Sequence, residues 1–190
     1  VTGKADITLA IHERLPVIID FRGESEQVAS VLLNGRKVPY TVKDEHIVID
    51  TREAADGENR VTIEFTANDQ SLNRRDEFLY TLLVPDRART LFPCFDQPDM
   101  KSLFTLSLEV PSSWQAVANG AVEQVDSTFV ARRKRISFRE TEPLSTYLFS
   151  FVAGKLTRET YSRDGRNISI YHRETDPKKV AQGSDIASEV

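Results

Sequence analysis

Apolar and polar residues alternate over most of this 190-residue chain. Ile7, Leu9 and Ile11 alternate with small or polar residues, and Val61 and Phe65 belong to a second run of the same kind. A period of two is typical of strands with one buried face. Turn-forming residues recur at intervals of about 8–12 positions, as in sandwiches of short strands. The pattern therefore predicts an all-β, mostly antiparallel β-sandwich.

The strand assignments follow this alternation. We predict strands at residues 7–11, 17–21, 28–33, 38–42, 46–50, 61–65, 78–84, 104–110, 115–125 (two short strands), 128–140, 147–153, 155–162 and 167–173. Asn34-Gly35 predicts a tight hairpin turn, because both central positions of a type I′ turn need positive φ. Residues 38–42 are expected to return from that turn and pair with 28–33. Asp164-Gly165 predicts the turn of the last hairpin.

The stretch from Tyr80 to Leu106 is the least regular and most distinctive part of the chain. Pro93 and Pro98 hold the sequence PCFDQPD in an extended or turned conformation. The segment is apolar, so we expect burial of Cys94 and Phe95, with Cys94 unreactive. Asp96 and Asp99 are predicted to accept hydrogen bonds from the backbone amides of this segment or from nearby arginines.

Composition excludes several classes of protein. The net charge of -4 gives no reason to expect a nucleic-acid partner. No apolar run approaches the ~20 residues of a membrane span. The single Cys94 excludes an internal disulfide, and it leaves both a cytoplasmic and an exported location open, with the cytoplasm favoured.

The residue types that could carry chemistry favour structural roles. His12, His46 and His172 are far apart and lack metal-ligand spacing, so no metal site is predicted. Cys94 has no nearby histidine that would activate it as a nucleophile. The basic run at 132–135 would be split between two faces of a strand, which favours a solvated or acid-paired surface over a nucleic-acid patch.

The order P-x-x-A-R-x-x-F-P-C-F-D-Q-P-D-x-K, starting at Pro85, resembles the N-terminal β domain of the M1 zinc aminopeptidases. Three further segments match the family and occur along the chain in the family's order. They are Leu33-Asn34-Gly35, Trp114 to Gly120, and Pro143 to Phe149. The resemblance runs from about residue 18 to about residue 170.

The resemblance implies a twisted, saddle-like sandwich over residues 1–175, with 176–190 as the start of a catalytic domain. Asp176-Pro177 is also a helix-opening sequence. Val1 begins within a strand pattern and without an initiator methionine, so we expect a piece of a longer protein. The family's catalytic motifs, Gly-x-Met-Glu-Asn and His-Glu-x-x-His, do not occur in the chain. The resemblance therefore implies no catalytic residue here, zinc in the parent enzyme, and a domain that packs on the catalytic domain and walls its peptide cleft.

The family places one strand of this domain beside the pocket for the first residue of the peptide, which implies a pocket wall at Tyr80, Thr81 and Leu82. Family members carry a Gln in a T-Q-x-x-P pattern that helps to hold the free amino group. Leu82 stands at that position here. Because an aliphatic side chain accepts no hydrogen bond, the change implies a more apolar pocket with a weaker grip on the amine.

Two other functions stay open at this level. The parent could be a non-catalytic M1-like scaffold for protein assembly, since the residues that decide catalysis lie outside the chain. Alternatively, the chain could be a free-standing β-sandwich module that binds peptide or carbohydrate.

Overall fold

The structure is a computed structural model that describes residues 1–163 and 165–188. Within this range the chain forms strands and one α-helix, joined by short loops and 3-10 turns. The strands are β1 (Thr2–Ile11), β2 (Val17–Asp20), β3 (Val28–Leu33), β4 (Arg36–Lys37), β5 (Tyr40–Lys43), β6 (His46–Ile49), β7 (Gly57–Thr66), β8 (Leu72–Arg75), β9 (Phe78–Thr81), β10 (Ser107–Pro111), β11 (Gln115–Ala118), β12 (Val122–Val130), β13 (Arg133–Phe138), β14 (Phe151–Gly154), β15 (Thr157–Arg163) and β16 (Arg166–His172); the helix is α1 (Pro177–Ser188).

The strands form antiparallel sheets, which confirms the predicted all-β, sandwich-like fold. Their orders are β1-β7-β3-β4, β2-β6-β5, β11-β14-β9-β8, β10-β13-β12 and β15-β16. The longest ladder joins β1 to β7 without interruption, from Thr2 opposite Thr66 to Ile11 opposite Gly57. Antiparallel ladders of this kind let one face of each sheet pack inward while the other faces water.

The interior consists of two clusters of buried side chains. The larger lies between the first sheets and the PCFDQPD segment, and its fully covered members include Ile19, Phe21 and Ile63. The smaller lies between β10-β13-β12 and β11-β14-β9-β8 and includes Phe138. The side chains of Leu79 and Leu106 pack against both clusters, so the two clusters form one continuous apolar interior.

Several predicted strands differ from the observed ones for identifiable reasons. The segment at 38–42 does not return along β3; only β4 does, and β5 pairs with β6 in another sheet. Pro39 lies between β4 and β5 and has no N–H to continue the ladder. The strand predicted at 78–84 ends at Thr81, because Thr81 is opposite Leu72, the first residue of the neighbouring β8.

The long strand predicted at 128–140 is a hairpin. β12 ends at Val130, and Arg132 adopts a left-handed backbone with φ of 63°, which reverses the chain into β13. The predicted turn at Asn34-Gly35 is confirmed, with φ of 51° and 80°. In the last hairpin, residue 164 lies outside the described residues, while β15 and β16 pair as expected.

The segment at 147–153 is not one buried strand. It begins with a 3-10 turn, Thr146–Leu148, and only then enters β14. Leu148 is exposed in that turn.

Helix α1 begins as predicted after Asp176, whose carboxylate accepts the N–H of Lys178 at 2.9 Å. It packs against β15 and β16. No helix in the described residues is long and apolar enough to cross a membrane.

Candidate functional site

The PCFDQPD segment is fixed to the edge of β2 through Asp20. The backbone groups of Asp20 and Cys94 exchange two hydrogen bonds, of 2.9 and 3.1 Å. The buried Asp20 carboxylate accepts the N–H of Asp96 at 2.7 Å and the side-chain amide of Gln97 at 3.0 Å. His46 Nε2 lies 3.2 Å from its other oxygen. The Asp20 carboxylate thus satisfies two donors of an irregular segment that pairs with β2 at Cys94.

Asp96 and Asp99 have different roles, although the sequence predicted the same role for both. The Asp96 carboxylate is buried, accepting the N–H of Arg89 at 3.1 Å and the hydroxyl of Thr146 at 2.6 Å. Asp99 is exposed, and among the described contacts its carboxylate has no hydrogen bond. The prediction is therefore confirmed for Asp96 and wrong for Asp99, where the chain has already emerged into solvent.

Cys94 is buried at 6% exposure, as predicted. Burial, with the nearby carboxylates of Asp96 and Asp20, raises the pKa of its thiol well above the ordinary value. Phe95 is only half-buried, so the expectation of near-complete burial is wrong for it. Phe149 fills the interior here instead, with its ring centroid 5.2 Å from that of Phe92 and 4.9 Å from that of Phe104.

The predicted pocket wall divides into outward and inward side chains. Tyr80 and Leu82 are 41% and 52% exposed, whereas Thr81 and Leu83 are 8% and 2% exposed. Alternation continues beyond the end of β9, so Val84 is also outward, at 54%. We call the outward set of Tyr80, Leu82 and Val84 the apolar wall.

Thr81 has a structural role in the interior. Its hydroxyl oxygen accepts the N–H of Phe151 at 3.1 Å, beside the β9–β14 ladder. A Thr81 side chain held in this way does not reach the outer surface. It therefore does not replace the Gln that family members carry at the position of Leu82. Leu82 is anchored through its backbone, whose N–H donates to Ser71 O at 2.9 Å.

The apolar wall continues along the outer face of the sheet. The Phe78 and Tyr80 rings lie parallel, with centroids 6.3 Å apart. Asn73 of β8 and Val152 of β14 are the cross-strand partners of Tyr80, and cross-strand partners share a face. Sequence reasoning missed Phe78 and Val84, although extending the alternation of Tyr80 and Leu82 in both directions would have found them.

The histidines do not converge on a metal site. His12 pairs with Asp56 at 3.2 Å, and His172 Nε2 lies 3.6 Å from a Glu159 oxygen. Among the described residues, no group of three or more His, Cys, Asp or Glu side chains is arranged to hold a metal ion. The described side chains therefore do not fit a zinc ion.

The basic run lies in and after the β12–β13 turn and is partly paired. The Arg133 guanidinium donates to the backbone oxygen of Glu109 at 2.7 Å, and that of Arg135 donates to the Glu109 carboxylate at 2.9 Å. These contacts fit the acid-paired surface that the sequence predicted. A shallow depression of about 390 Å³ on another part of the surface is lined mainly by polar side chains around Arg22 and Glu45.

The fold and this surface define a β domain that presents an apolar strip beside an irregular segment held by buried hydrogen bonds. Residues 3–148 match the family model of the Peptidase M1 N-terminal domain, and the chain belongs to that family.

Individual relatives agree with this assignment. The chain is 32% identical over 165 residues to aminopeptidase M1-A of Oryza sativa subsp. japonica, covering 80% of this chain and 18% of the relative. It is 28% identical over 203 residues to aminopeptidase N of Lactobacillus helveticus, covering 98% and 23%. A crystal structure of an M1 zinc metallopeptidase from Deinococcus radiodurans has the same fold, with a TM-score of 0.71 at 22% identity, covering 90% of this chain and 41% of that one. The chain thus spans less than half the length of each of these proteins.

Proposed function

We propose that the protein carrying this chain is a zinc-dependent aminopeptidase and that this domain forms one wall of its peptide cleft. Membership of the Peptidase M1 N-terminal domain family carries the proposal. The names of the relatives, aminopeptidase and zinc metallopeptidase, support it. Zinc and the catalytic groups belong to the rest of the protein, because the described residues here do not fit a metal ion.

The boundary of the domain is part of this proposal. Residues 1–175 form the β domain, and residues 176–190 begin the catalytic domain that packs on it. The observation in favour is the change from strands to helix α1 directly after the last hairpin. Residues 189 and 190 lie outside the described part of the chain.

The apolar wall is proposed to line the pocket for the first residue of the peptide. Tyr80 and Leu82 are outward and exposed, as side chains of a wall must be when the covering domain is absent. Thr81 contributes through its backbone position only, because its side chain is held by Phe151. The substrates that fit are peptides with large apolar first residues, which can bury surface against Leu82.

Leu82 weakens recognition of the free amino group in this proposal. A buried ammonium needs hydrogen-bond acceptors, and each charge-assisted bond contributes about 1.5–3 kcal/mol. Leu82 offers none, so the amine depends on acceptors from the catalytic domain. The Michaelis constant is then high for small first residues and lower for large apolar ones.

Substituting Leu82→Gln in the full-length protein tests the proposal. We expect kcat/KM for substrates with Ala as first residue to rise about tenfold, which corresponds to ~1.4 kcal/mol of regained binding. Substrates with Leu as first residue should gain less, because they lose packing on Leu82. The matched control is Leu15→Gln, an equally drastic change at an exposed leucine between β1 and β2.

Different outcomes test the position of Leu82 in the pocket and the aminopeptidase activity of the full-length protein. Equal changes for the Ala and Leu substrates, or the same gain in Leu15→Gln, would show that Leu82 does not line the pocket. Absence of any zinc-dependent release of N-terminal residues by the full-length protein would instead favour an M1-like scaffold.

A further inference from the structure

We infer that Arg173 is a positioning residue for the pocket wall, holding the Phe78 and Tyr80 rings in place from the segment that follows the last hairpin. The inference rests on the proposed function, since it assumes that Tyr80 contacts the peptide. The observation that carries it is a continuous line of contacts from Arg173 through Phe78 to Tyr80.

The first contact is between a cation and an aromatic ring. Arg173 Cζ lies 4.3 Å from the centroid of the Phe78 ring. A guanidinium within about 6 Å of a ring centroid is attracted to the negative face of the ring, and its planar shape stacks well there. Phe78 is half-buried, so part of its ring depends on this cover.

The second contact is between Phe78 and the wall itself. The Phe78 and Tyr80 rings are parallel, with centroids 6.3 Å apart on the same face of β9. Phe78 is also fixed from the side of β14: a Cβ built on Gly154 would come within 2.6 Å of Phe78 Cβ. Only a glycine at position 154 allows β14 to lie this close to the backbone at the start of β9.

The third contact fixes Arg173. Its guanidinium lies 3.3 Å from one oxygen of the Glu77 carboxylate, and Lys155 Nζ lies 2.7 Å from the other. Glu77 belongs to the turn between β8 and β9, and its backbone oxygen accepts the N–H of Lys155 at 2.8 Å. The turn beside the wall is therefore tied to both the start of the last hairpin and its end.

Arg173 and Lys155 offer a matched comparison. Both share the Glu77 carboxylate, and only Arg173 has a described contact with Phe78. Loss of either cation removes one ion pair from an exposed carboxylate, and such pairs contribute little to stability. Of the two losses, only that of Arg173 also uncovers the aromatic ring that supports Tyr80.

The experiment compares Arg173→Leu, Arg173→Lys, Lys155→Met and Tyr80→Ala in the full-length protein, with peptides that have a large apolar first residue. For Arg173→Leu we expect KM to rise about two- to fivefold with kcat unchanged. A change of this size corresponds to the free energy of an exposed cation–π contact. Arg173→Lys should restore part of the loss, because an ammonium still interacts with the ring. Lys155→Met should leave KM unchanged.

Tyr80→Ala separates this inference from the proposed function. If Tyr80→Ala raises KM and both Arg173 variants do not, Arg173 does not position the wall, while the wall itself stands. If Tyr80→Ala has no effect on KM, both the wall and the inference are overturned. An equal rise in Lys155→Met and Arg173→Leu would assign the effect to the ion pairs and also overturn the inference.

Discussion

The two acidic residues of PCFDQPD show how strongly burial decides the role of a single side chain. Asp96 and Asp99 are three positions apart, and both lie next to prolines or polar residues in the sequence. Asp96 faces inward and satisfies the N–H of Arg89 and the hydroxyl of Thr146. Asp99 faces solvent. Local sequence supplied both acceptors, but only the surrounding chain decided which of them would be needed.

Replacing Asp96 should therefore cost far more than replacing Asp99. Asp96→Ala leaves two donors without a partner in a buried place, and we expect a loss of about 3 kcal/mol in the free energy of unfolding. Asp99→Ala should change it by less than about 0.5 kcal/mol, as is usual for exposed positions. Urea unfolding of the chain measures both. Similar losses for the two variants would contradict the role assigned to Asp96.

Cys94 should resist modification in the folded protein. Its burial and raised pKa keep the sulfur as a covered thiol, whereas reagents attack the exposed thiolate. Native chain mixed with a thiol reagent at pH 8 should react only as fast as it unfolds, and chain in 6 M guanidinium should react at once (the concentration is about that which unfolds most domains). Fast labelling without denaturant would show that the PCFDQPD segment opens.

At the scale of the elements, the sequence predicted the turn at Asn34-Gly35 correctly but missed the β12–β13 hairpin. Asn34-Gly35 determines its turn locally, since few residue pairs accept two positive φ values. The β12–β13 turn has no such signal: Arg132 takes a left-handed conformation against its own preference. Pairing of β13 with both β10 and β12 places Ile136 and Phe138 in the interior, which outweighs that local cost.

At the same scale, acid should loosen the attachment of the β15–β16 hairpin. The hydrogen bond and charge of Lys155, with the charge of Arg173, lower the pKa of Glu77 below its ordinary 4.5. A lowered folded-state pKa means that this stabilisation is present above pH 4.5 and is lost as the pH falls through the folded value. Because exposed ion pairs contribute little to stability, we expect only a small decrease in the hydrogen-exchange protection of β15 and β16, corrected for intrinsic rates, between pH 7 and pH 3.

The Glu77→Gln variant is the control for this effect. Its hairpin should show the lower protection already at pH 7, and it should change less on acidification. A decrease on acidification that is equal in the variant and the unmodified chain would assign the effect to other carboxylates.

At the scale of the whole molecule, the two interior clusters are continuous because a few side chains pack against both of them. Leu79 and Leu106 do so, and Leu79 lies on β9, beside the apolar wall. The wall is therefore supported from inside by the shared interior and from outside by Phe78. We therefore expect this surface to keep its shape in the isolated chain.

The isolated 190-residue chain should bind no stoichiometric zinc. Zinc sites use three or four nitrogen, sulfur or oxygen ligands, and the described His, Cys, Asp and Glu side chains form no such group. Metal analysis after dialysis against trace zinc measures this directly. One zinc retained per chain would contradict the prediction, because it would show that this domain has its own set of zinc ligands.

The sequence by itself determined the strand periodicity, the Asn34-Gly35 turn, the start of α1 at Pro177 and the family, because each depends on neighbouring residues or on a fixed local order. It also predicted Tyr80, Thr81 and Leu82 on one strand, but the observed β9 ends at Thr81 and Leu82 lies just beyond it. Tertiary structure alone decided which of the two faces is buried, so that Thr81 turns inward to Phe151 while Leu82 and Val84 face outward. It also decided that Arg173 covers Phe78, although Arg173 lies 96 residues after Glu77, the neighbour of Phe78 in the chain. These outcomes depend on which sheet lies behind each strand, and side-chain alternation gives two opposite faces without saying which is buried.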